Sequence, residues 1–159
     1  MGDPNVFAPE WQDGAPPGIK AQMVGMAAGA TELGATVYEL EPGVAISPYH
    51  LHHANEELLV VLRGRAALRT PDGDRWVEEG GVVAFPRGAD GAHRIAAGDE
   101  PVRVLLVSTM NYPDVSEHLS TGTTLVMPEP GTGKAFAADG ERPFMDLYRE
   151  AIERDKSTS

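Results

Sequence analysis

Short runs with the residue pattern of β-strands, most of them closed by glycine or proline, fill the chain from about residue 35 to residue 110. Strict alternation is the period of a half-buried β-strand. Runs that recur every 8 to 12 residues between turn signals are typical of an all-β sandwich or barrel. The predicted strands cover residues 35–40, 44–52, 57–62, 65–70, 75–78, 82–85, 93–96 and 102–109.

The pattern weakens toward both ends of the chain. Residues 1–20 are rich in proline and acidic side chains and predict an irregular arm, which we expect Trp11 and Phe7 to pin to the body. After Met110 the alternation gives way to Pro, Gly and Thr. A short C-terminal helix is predicted near 143–154, because its apolar positions 144, 147, 148 and 152 share one helical face.

These features divide the chain into three parts. We expect an N-terminal arm with cover strands at 1–34, a barrel core at 35–110 and a C-terminal extension with the helix at 111–159. The strand Leu58–Leu62 is apolar on both faces, so one face fills the barrel and the other needs a cover. The N-terminal segment or a second copy of the chain would supply that cover, and the sequence predicts a homodimer.

Composition narrows the possible partners. The 159 residues carry 13 Lys and Arg against 24 Asp and Glu, a net charge of −11. This excess disfavours binding to nucleic acid and to anionic membranes. No apolar run is long enough for a membrane span and no signal-peptide core is present, so the sequence predicts a cytoplasmic protein. The chain has no cysteine, and any metal ligands must therefore be nitrogen or oxygen atoms.

Three of the five histidines lie together, at His50, His52 and His53. His50 and His52 are two positions apart, so on a strand their imidazoles share a face and His53 points the other way. Glu57 follows at the start of the most apolar strand, and His93 opens a later one. Two imidazoles on one face, a neighbouring carboxylate and a distant third imidazole form a candidate site for a divalent metal.

The spacing of these residues resembles the first motif of the cupin family. That motif reads Gly, a spacer, His-x-His, three or four residues, Glu, six residues and Gly. Gly43, His50, His52, Glu57 and Gly64 fit it, with a spacer one residue longer than usual after Gly43.

A second stretch resembles the second cupin motif, which reads Gly, five residues, Pro-x-Gly, two residues, His, three residues and Asn. Gly80, Pro86 and Gly88 match it. His93 lies four residues beyond Gly88 rather than two, and Ala97 stands in place of the asparagine. The resemblance covers residues 29 to 110 and extends to small single-domain bacterial cupins, most of which have no assigned reaction.

The resemblance implies a double-stranded β-helix, the cupin jelly-roll barrel. It further implies that His50, His52, Glu57 and His93 point into the barrel and bind Mn, Fe, Ni or Zn. Cupins include dioxygenases, isomerases and cyclases acting on small molecules, as well as modules that bind a ligand without catalysis. The sequence leaves both an enzyme and a binding module open, and an intact ligand set disfavours a storage role.

The remaining candidates have plainer interpretations. We expect His53 to face outward, and His118 to lie on the surface without a role. No separate general base stands out in the sequence, and the partners that would orient the imidazoles are not evident from it.

Overall fold

A computed structural model describes residues 3–157 of the chain, which form thirteen strands and two α-helices joined by turns and loops. Turns at glycine and proline end most strands, as the sequence predicted. The strands are β1 Ile19–Gln22, β2 Leu33–Leu40, β3 His50–His52, β4 Glu57–Arg63, β5 Ala66–Thr70, β6 Gly73–Val77, β7 Val82–Phe85, β8 Arg94–Ala97, β9 Val102–Thr109, β10 Asp114–His118, β11 Thr123–Met127, β12 Lys134–Ala137 and β13 Gly140–Arg142. The helices are α1 Val24–Ala27 and α2 Phe144–Ser157.

The strands form three antiparallel sheets. The first has the order β1-β2-β9-β4-β7, the second β13-β12-β11-β10-β3, and the third β6-β5-β8. Neighbours in a sheet are often far apart in sequence, as β2 and β9 or β3 and β10 are. This topology brings residues from distant parts of the chain into one barrel.

Strand β4 shows how the alternation of side chains fixes the inside of the barrel. Glu57, Leu59 and Val61 share one face and are buried, whereas Leu58 on the opposite face is 37% exposed. Leu59 and Val61 belong to the main apolar core of the barrel. The register therefore places the carboxylate of Glu57 on the same face as the core, at the strand end where apolar packing stops.

The chain after Met110 differs from the prediction of irregular structure, because four strands, β10 to β13, precede the helix. The reason lies in β10, whose inward positions Asp114, Ser116 and His118 are polar yet almost fully buried. A search for apolar residues at alternate positions misses a strand whose inner face is polar. Since β10 pairs with β3, the segment 111–159 contributes directly to the sheet that holds His50.

The N-terminal segment combines an irregular arm with a strand and a short helix. It contributes β1 and the single-turn helix α1, and Arg103 of β9 anchors the arm. The Arg103 guanidinium lies 5.4 Å from the centroid of the Trp11 ring and donates a hydrogen bond to the Phe7 carbonyl at 2.9 Å. Trp11 thus pins the arm by its ring, whereas Phe7 does so by its backbone and leaves its side chain exposed.

The C-terminal helix α2 begins one residue after the predicted start and is longer than predicted. Leu147 packs with Leu125 and Ala135 of the second sheet, and Ile152 is also buried. The side chains of Phe144 and Tyr148, predicted on the same face, lie outside the described residues. Within residues 3–157, neither helix has the length and apolar character that crossing a bilayer requires.

Candidate metal centre

His50 lies on β3 with its imidazole buried and its orientation fixed. Its Nδ1 lies 2.9 Å from the Pro48 carbonyl oxygen and 3.1 Å from Ser47 Oγ. A carbonyl only accepts hydrogen bonds, so Nδ1 carries the proton and Nε2 keeps its lone pair. Burial, together with the neighbouring imidazoles, holds the pKa of His50 well below its ordinary value. The ring is therefore neutral, as metal ligation requires.

His93 is brought beside His50 by an isolated β-bridge. Each residue donates its backbone N–H to the other's carbonyl, at 2.8 and 3.0 Å. The His93 ring stacks on Phe85, with centroids 3.8 Å apart and planes 10° apart. Its Nδ1 donates to the Gly91 carbonyl at 2.9 Å, which leaves the lone pair on Nε2.

The loop between Gly88 and His93 is two residues longer than in the second motif described above. It contains a short 3-10 turn, Ala89–Gly91. Gly91 packs so closely on the Pro86 carbonyl that a Cβ would lie 1.6 Å from its oxygen. This turn presents the Gly91 carbonyl to His93. The longer loop thus supplies the group that orients the imidazole.

His52 is oriented by a residue that the sequence analysis did not single out. Its Nδ1 lies 2.6 Å from Oδ2 of Asp114, which is 1% exposed. Burial alone would lower the pKa of His52, but the hydrogen bond to Asp114 and the charge of Glu57 outweigh it and raise that pKa. Burial would raise the pKa of Asp114, but hydrogen bonds from His52, the Ala54 N–H and Asn55 lower it.

Glu57 completes the cluster. Its Oε2 lies 3.3 Å from His93 Nε2 and 3.6 Å from His52 Nε2. His50, His52 and Glu57 each offer a ligand atom, and these atoms all lie within 4.8 Å of one another. Glu57 Oε2 and His93 Nε2 are buried and make no hydrogen bond to any residue that the structure describes.

These contacts test whether the residues fit a metal ion. Nδ1 of each of His50, His52 and His93 is engaged by an oxygen atom, so all three rings can offer Nε2. Nitrogen lone pairs beside a carboxylate repel one another unless a cation lies between them. Buried polar atoms without partners are rare in folded proteins. The donor set therefore fits a divalent metal.

A cavity of about 660 Å³ opens beside this cluster, with Glu57 and Tyr38 among its lining residues. Helix α1 and the segment around Pro130 also line it. Burial raises the pKa of Tyr38, opposed by a hydrogen bond from Thr36 and reinforced by the charge of Glu57. The Tyr38 hydroxyl therefore keeps its proton and can donate a hydrogen bond to a ligand.

A family model described as the Cupin domain matches residues 36–108. The chain carries a cupin domain. Its strands have the jelly-roll arrangement that the sequence predicted, and both motifs lie within the matched range. No curated protein sequence matches the chain.

Solved structures share this fold. A candidate sugar phosphate isomerase from Acidithiobacillus ferrooxidans is 27% identical, with a TM-score of 0.68 over 79% of this chain and 80% of that one. A cupin-superfamily sugar phosphate isomerase from Silicibacter pomeroyi is 24% identical, with a TM-score of 0.64 over 79% and 74%. The polyketide cyclase RemF from Streptomyces resistomycificus is 24% identical, with a TM-score of 0.57 over 72% and 83%. The last two show similarity of fold alone.

The expectation that His118 lies on the surface is wrong. His118 is 2% exposed and lies opposite His50 in the β3–β10 register, with ring centroids 5.7 Å apart. The polar tail around it suggested an exposed position, whereas the pairing of β10 with β3 turns its side chain into the cupin barrel. His53 does face outward, and its Nε2 contacts Glu117 Oε1 at 2.5 Å.

Asn55 is a further residue whose place the sequence did not reveal. It is buried, and its Oδ1 accepts hydrogen bonds from the Asn111 N–H at 2.7 Å and from Thr109 Oγ1 at 3.1 Å. These bonds tie the turn after His52 to the segment that leads into Asp114. Asn55 thus connects the turn that follows His52 to the strand that carries Asp114.

Proposed function

We propose that this cupin is a metal-dependent enzyme acting on a small oxygenated organic molecule, with the ion bound by His50, His52, Glu57 and His93. The observation that carries the proposal is the unpaired, buried Oε2 of Glu57, which two imidazole Nε2 atoms approach. A structural ion pair would satisfy these atoms by hydrogen bonds. The approach of these donor atoms without hydrogen-bond partners supports a metal-binding role.

The ligand set of three nitrogens and one oxygen suits Mn, Fe, Ni or Zn. When bound, such an ion supplies a Lewis acid that polarises a carbonyl or enolate oxygen of the substrate. Asp114 and the carbonyl oxygens of Pro48 and Gly91 hold the imidazoles in the required orientation. Tyr38 lies in the cavity wall, where its hydroxyl donates a hydrogen bond to a substrate oxygen.

The metal site is tested by His52→Ala, with His53→Ala as the matched control. We expect bound metal in the purified His52→Ala protein to fall at least about tenfold, because a ligand is lost. His53→Ala removes the adjacent imidazole, which points away from the cluster, and should leave the metal content unchanged. Equal metal content by elemental analysis in the two variants contradicts the assignment.

Catalysis is tested separately with the metal-loaded protein and a panel of flavonols, diketones and keto acids. Metal-dependent oxygen uptake would identify a dioxygenase. Product without oxygen uptake would identify an isomerase or a cyclase. Tight binding without product contradicts the enzyme proposal and identifies a binding module.

We also propose that the chain forms a homodimer through the outer face of its first sheet. Leu58 and Val82 lie on that face and are 37% and 59% exposed, and Val60 pairs with Val82 across the strands. A second copy would cover this apolar surface. Size-exclusion chromatography with light scattering should give twice the chain mass at micromolar concentration, and a monomer would contradict the proposal.

A further inference from the structure

The walls of the cavity beside Glu57 are mainly apolar. Four of the large apolar side chains that remain solvent-exposed line it, namely Met23, Met26, Leu33 and Met110, with exposures of 37% to 63%. Leu106 of β9 lies deeper in the same wall. Exposed apolar side chains that cluster around one concave site mark a binding surface.

The polar groups in the cavity are hydroxyls and one carboxylate. Thr36, Tyr38 and Ser108 share the inward face of β2 and β9, and Glu57 of β4 pairs with Ser108. These groups can exchange hydrogen bonds with a carbonyl, enol or hydroxyl oxygen. Because these groups lie beside the metal cluster, we expect the oxygen atoms of a ligand to lie at that end of the cavity.

No arginine or lysine occurs among the described residues that line this cavity. Proteins bind phosphate groups by guanidinium or ammonium donors, or by the start of a helix. The helix at the mouth, α1, has only four residues and offers no such site. The negative charge of Glu57 and the net charge of −11 would further repel a phosphate.

We propose that this cavity binds a neutral, largely apolar molecule that carries a carbonyl or enol oxygen, and that it rejects phosphorylated sugars. The apolar body lies against the methionines and Leu106, and the oxygen lies at Tyr38 and Glu57. A cavity of this size accommodates a molecule of two or three rings. The inference rests on the proposed function, because Glu57 joins the cavity to the metal cluster.

Methionine contributes to the shape of this site. Met23, Met26 and Met110 have flexible, polarisable side chains that adapt to flat ligands of different outline. A site built to recognise a sugar would instead present several fixed polar groups to its hydroxyls. The chemistry of the walls thus disfavours a sugar as the ligand.

The experiment measures binding of quercetin, a flavonol, and of glucose 6-phosphate to the purified full chain, by calorimetry, with and without Mn²⁺. We expect quercetin to bind with a Kd on the order of 10 μM. Glucose 6-phosphate should give no heat at millimolar concentration. Tighter binding of glucose 6-phosphate than of quercetin overturns the inference, and so does the absence of quercetin binding in both forms of the protein.

The variant Met26→Glu tests whether quercetin occupies this cavity. Met26 is 63% exposed on α1, so the fold tolerates the change, and a carboxylate there would have to be desolvated by the ligand. Binding should weaken by at least about tenfold. The matched control is Met145→Glu, which alters an exposed methionine that does not line the cavity and should leave binding unchanged. The inference is overturned if quercetin binding weakens equally in the two variants, or if it is unchanged in both.

Failure of the proposed metal-dependent function and failure of the proposed ligand class give different experimental results. If elemental analysis shows that the chain retains no metal while quercetin still binds in a manner that depends on Met26, the metal proposal fails and the ligand class stands. If metal binds but glucose 6-phosphate displaces quercetin, the ligand class fails and the metal proposal stands.

Discussion

The Asp114 carboxylate and the His52 imidazole lie 2.6 Å apart although 62 positions separate them in the chain. Asp114 comes from β10, which follows residues 36–108, the range matched to the Cupin domain. The hydrogen bond fixes the tautomer of His52 and increases the basicity of its Nε2. The orientation of one proposed ligand thus depends on a strand outside the matched domain.

Replacing Asp114 by asparagine should lower metal affinity about 10- to 100-fold, because His52 loses the charged acceptor that orients it. Competition with a fluorescent chelator measures the effect. Glu117→Gln is the matched control: it changes an acidic residue of the same strand that contacts His53 on the outer side. Equal affinities in the two variants would show that Asp114 does not act through His52.

Phe85→Ala should lower the free energy of unfolding by about 3 kcal/mol, because it leaves a cavity in the core. It should also weaken metal binding, since the ring that stacks on His93 is lost. Urea denaturation and chelator competition measure the two effects. Leu119→Ala, at an exposed apolar position, should change stability by less than about 0.5 kcal/mol.

Gly91→Ala should displace the turn that orients His93, since the new methyl group would meet the Pro86 carbonyl. We expect a lower melting temperature together with a loss of metal affinity. The exposed neighbour Asp90 provides the control, and Asp90→Ala should retain both properties. A Gly91→Ala protein with unchanged metal affinity would show that the turn does not set the position of His93.

Glu39 gives the fold a predictable response to acid. Its carboxylate receives hydrogen bonds from Arg103 at 2.6 and 3.1 Å and from Lys20 at 3.2 Å. Burial would raise the pKa of Glu39, but these cations outweigh it and lower that pKa. Because the folded-state pKa lies below the unfolded one, the carboxylate stabilises the fold above about pH 4.3, and this contribution is lost as the pH falls through the folded-state value.

Glu39→Gln should therefore cost about 1 kcal/mol at pH 7 and almost nothing near pH 2. Urea denaturation of the variant and the unaltered protein at both pH values measures the difference. The exposed Glu100 provides the control, because Glu100→Gln should change stability little at either pH. A cost for Glu39→Gln that grows on acidification would contradict the proposed sign.

The strand pattern predicted an all-β sandwich or barrel, and the resemblance of two stretches to the cupin motifs implied the jelly-roll fold and the four proposed ligands. The two-residue interval between His50 and His52 places them on one face of a strand, and the alternation in β4 places Glu57 with the buried Leu59. His93 was found through its place after the Pro-x-Gly turn. The shared face of His50 and His52 needed only the period of a strand, whereas the role of His93 was implied by the resemblance to the second cupin motif.

The partners of the ligands could not be found in this way. Asp114 and His118 lie on a strand whose buried face is polar, so its pattern is the reverse of an apolar core strand. Tyr38 is one of several aromatic residues at strand positions, and only the cavity beside Glu57 distinguishes it. These residues acquire their roles from strand pairings, such as that of β3 with β10, which local periodicity does not encode.

The walls of the cavity come from both flanks of the cupin domain as well as from its strands. Helix α1 precedes residues 36–108, and Met110 and Pro130 follow them. A fragment cut to the matched range would keep the four proposed ligands but lose the methionine-lined mouth and the anchor of His52. We therefore expect these flanks to contribute to the choice of ligand, while the four proposed ligands of the ion all come from the matched range.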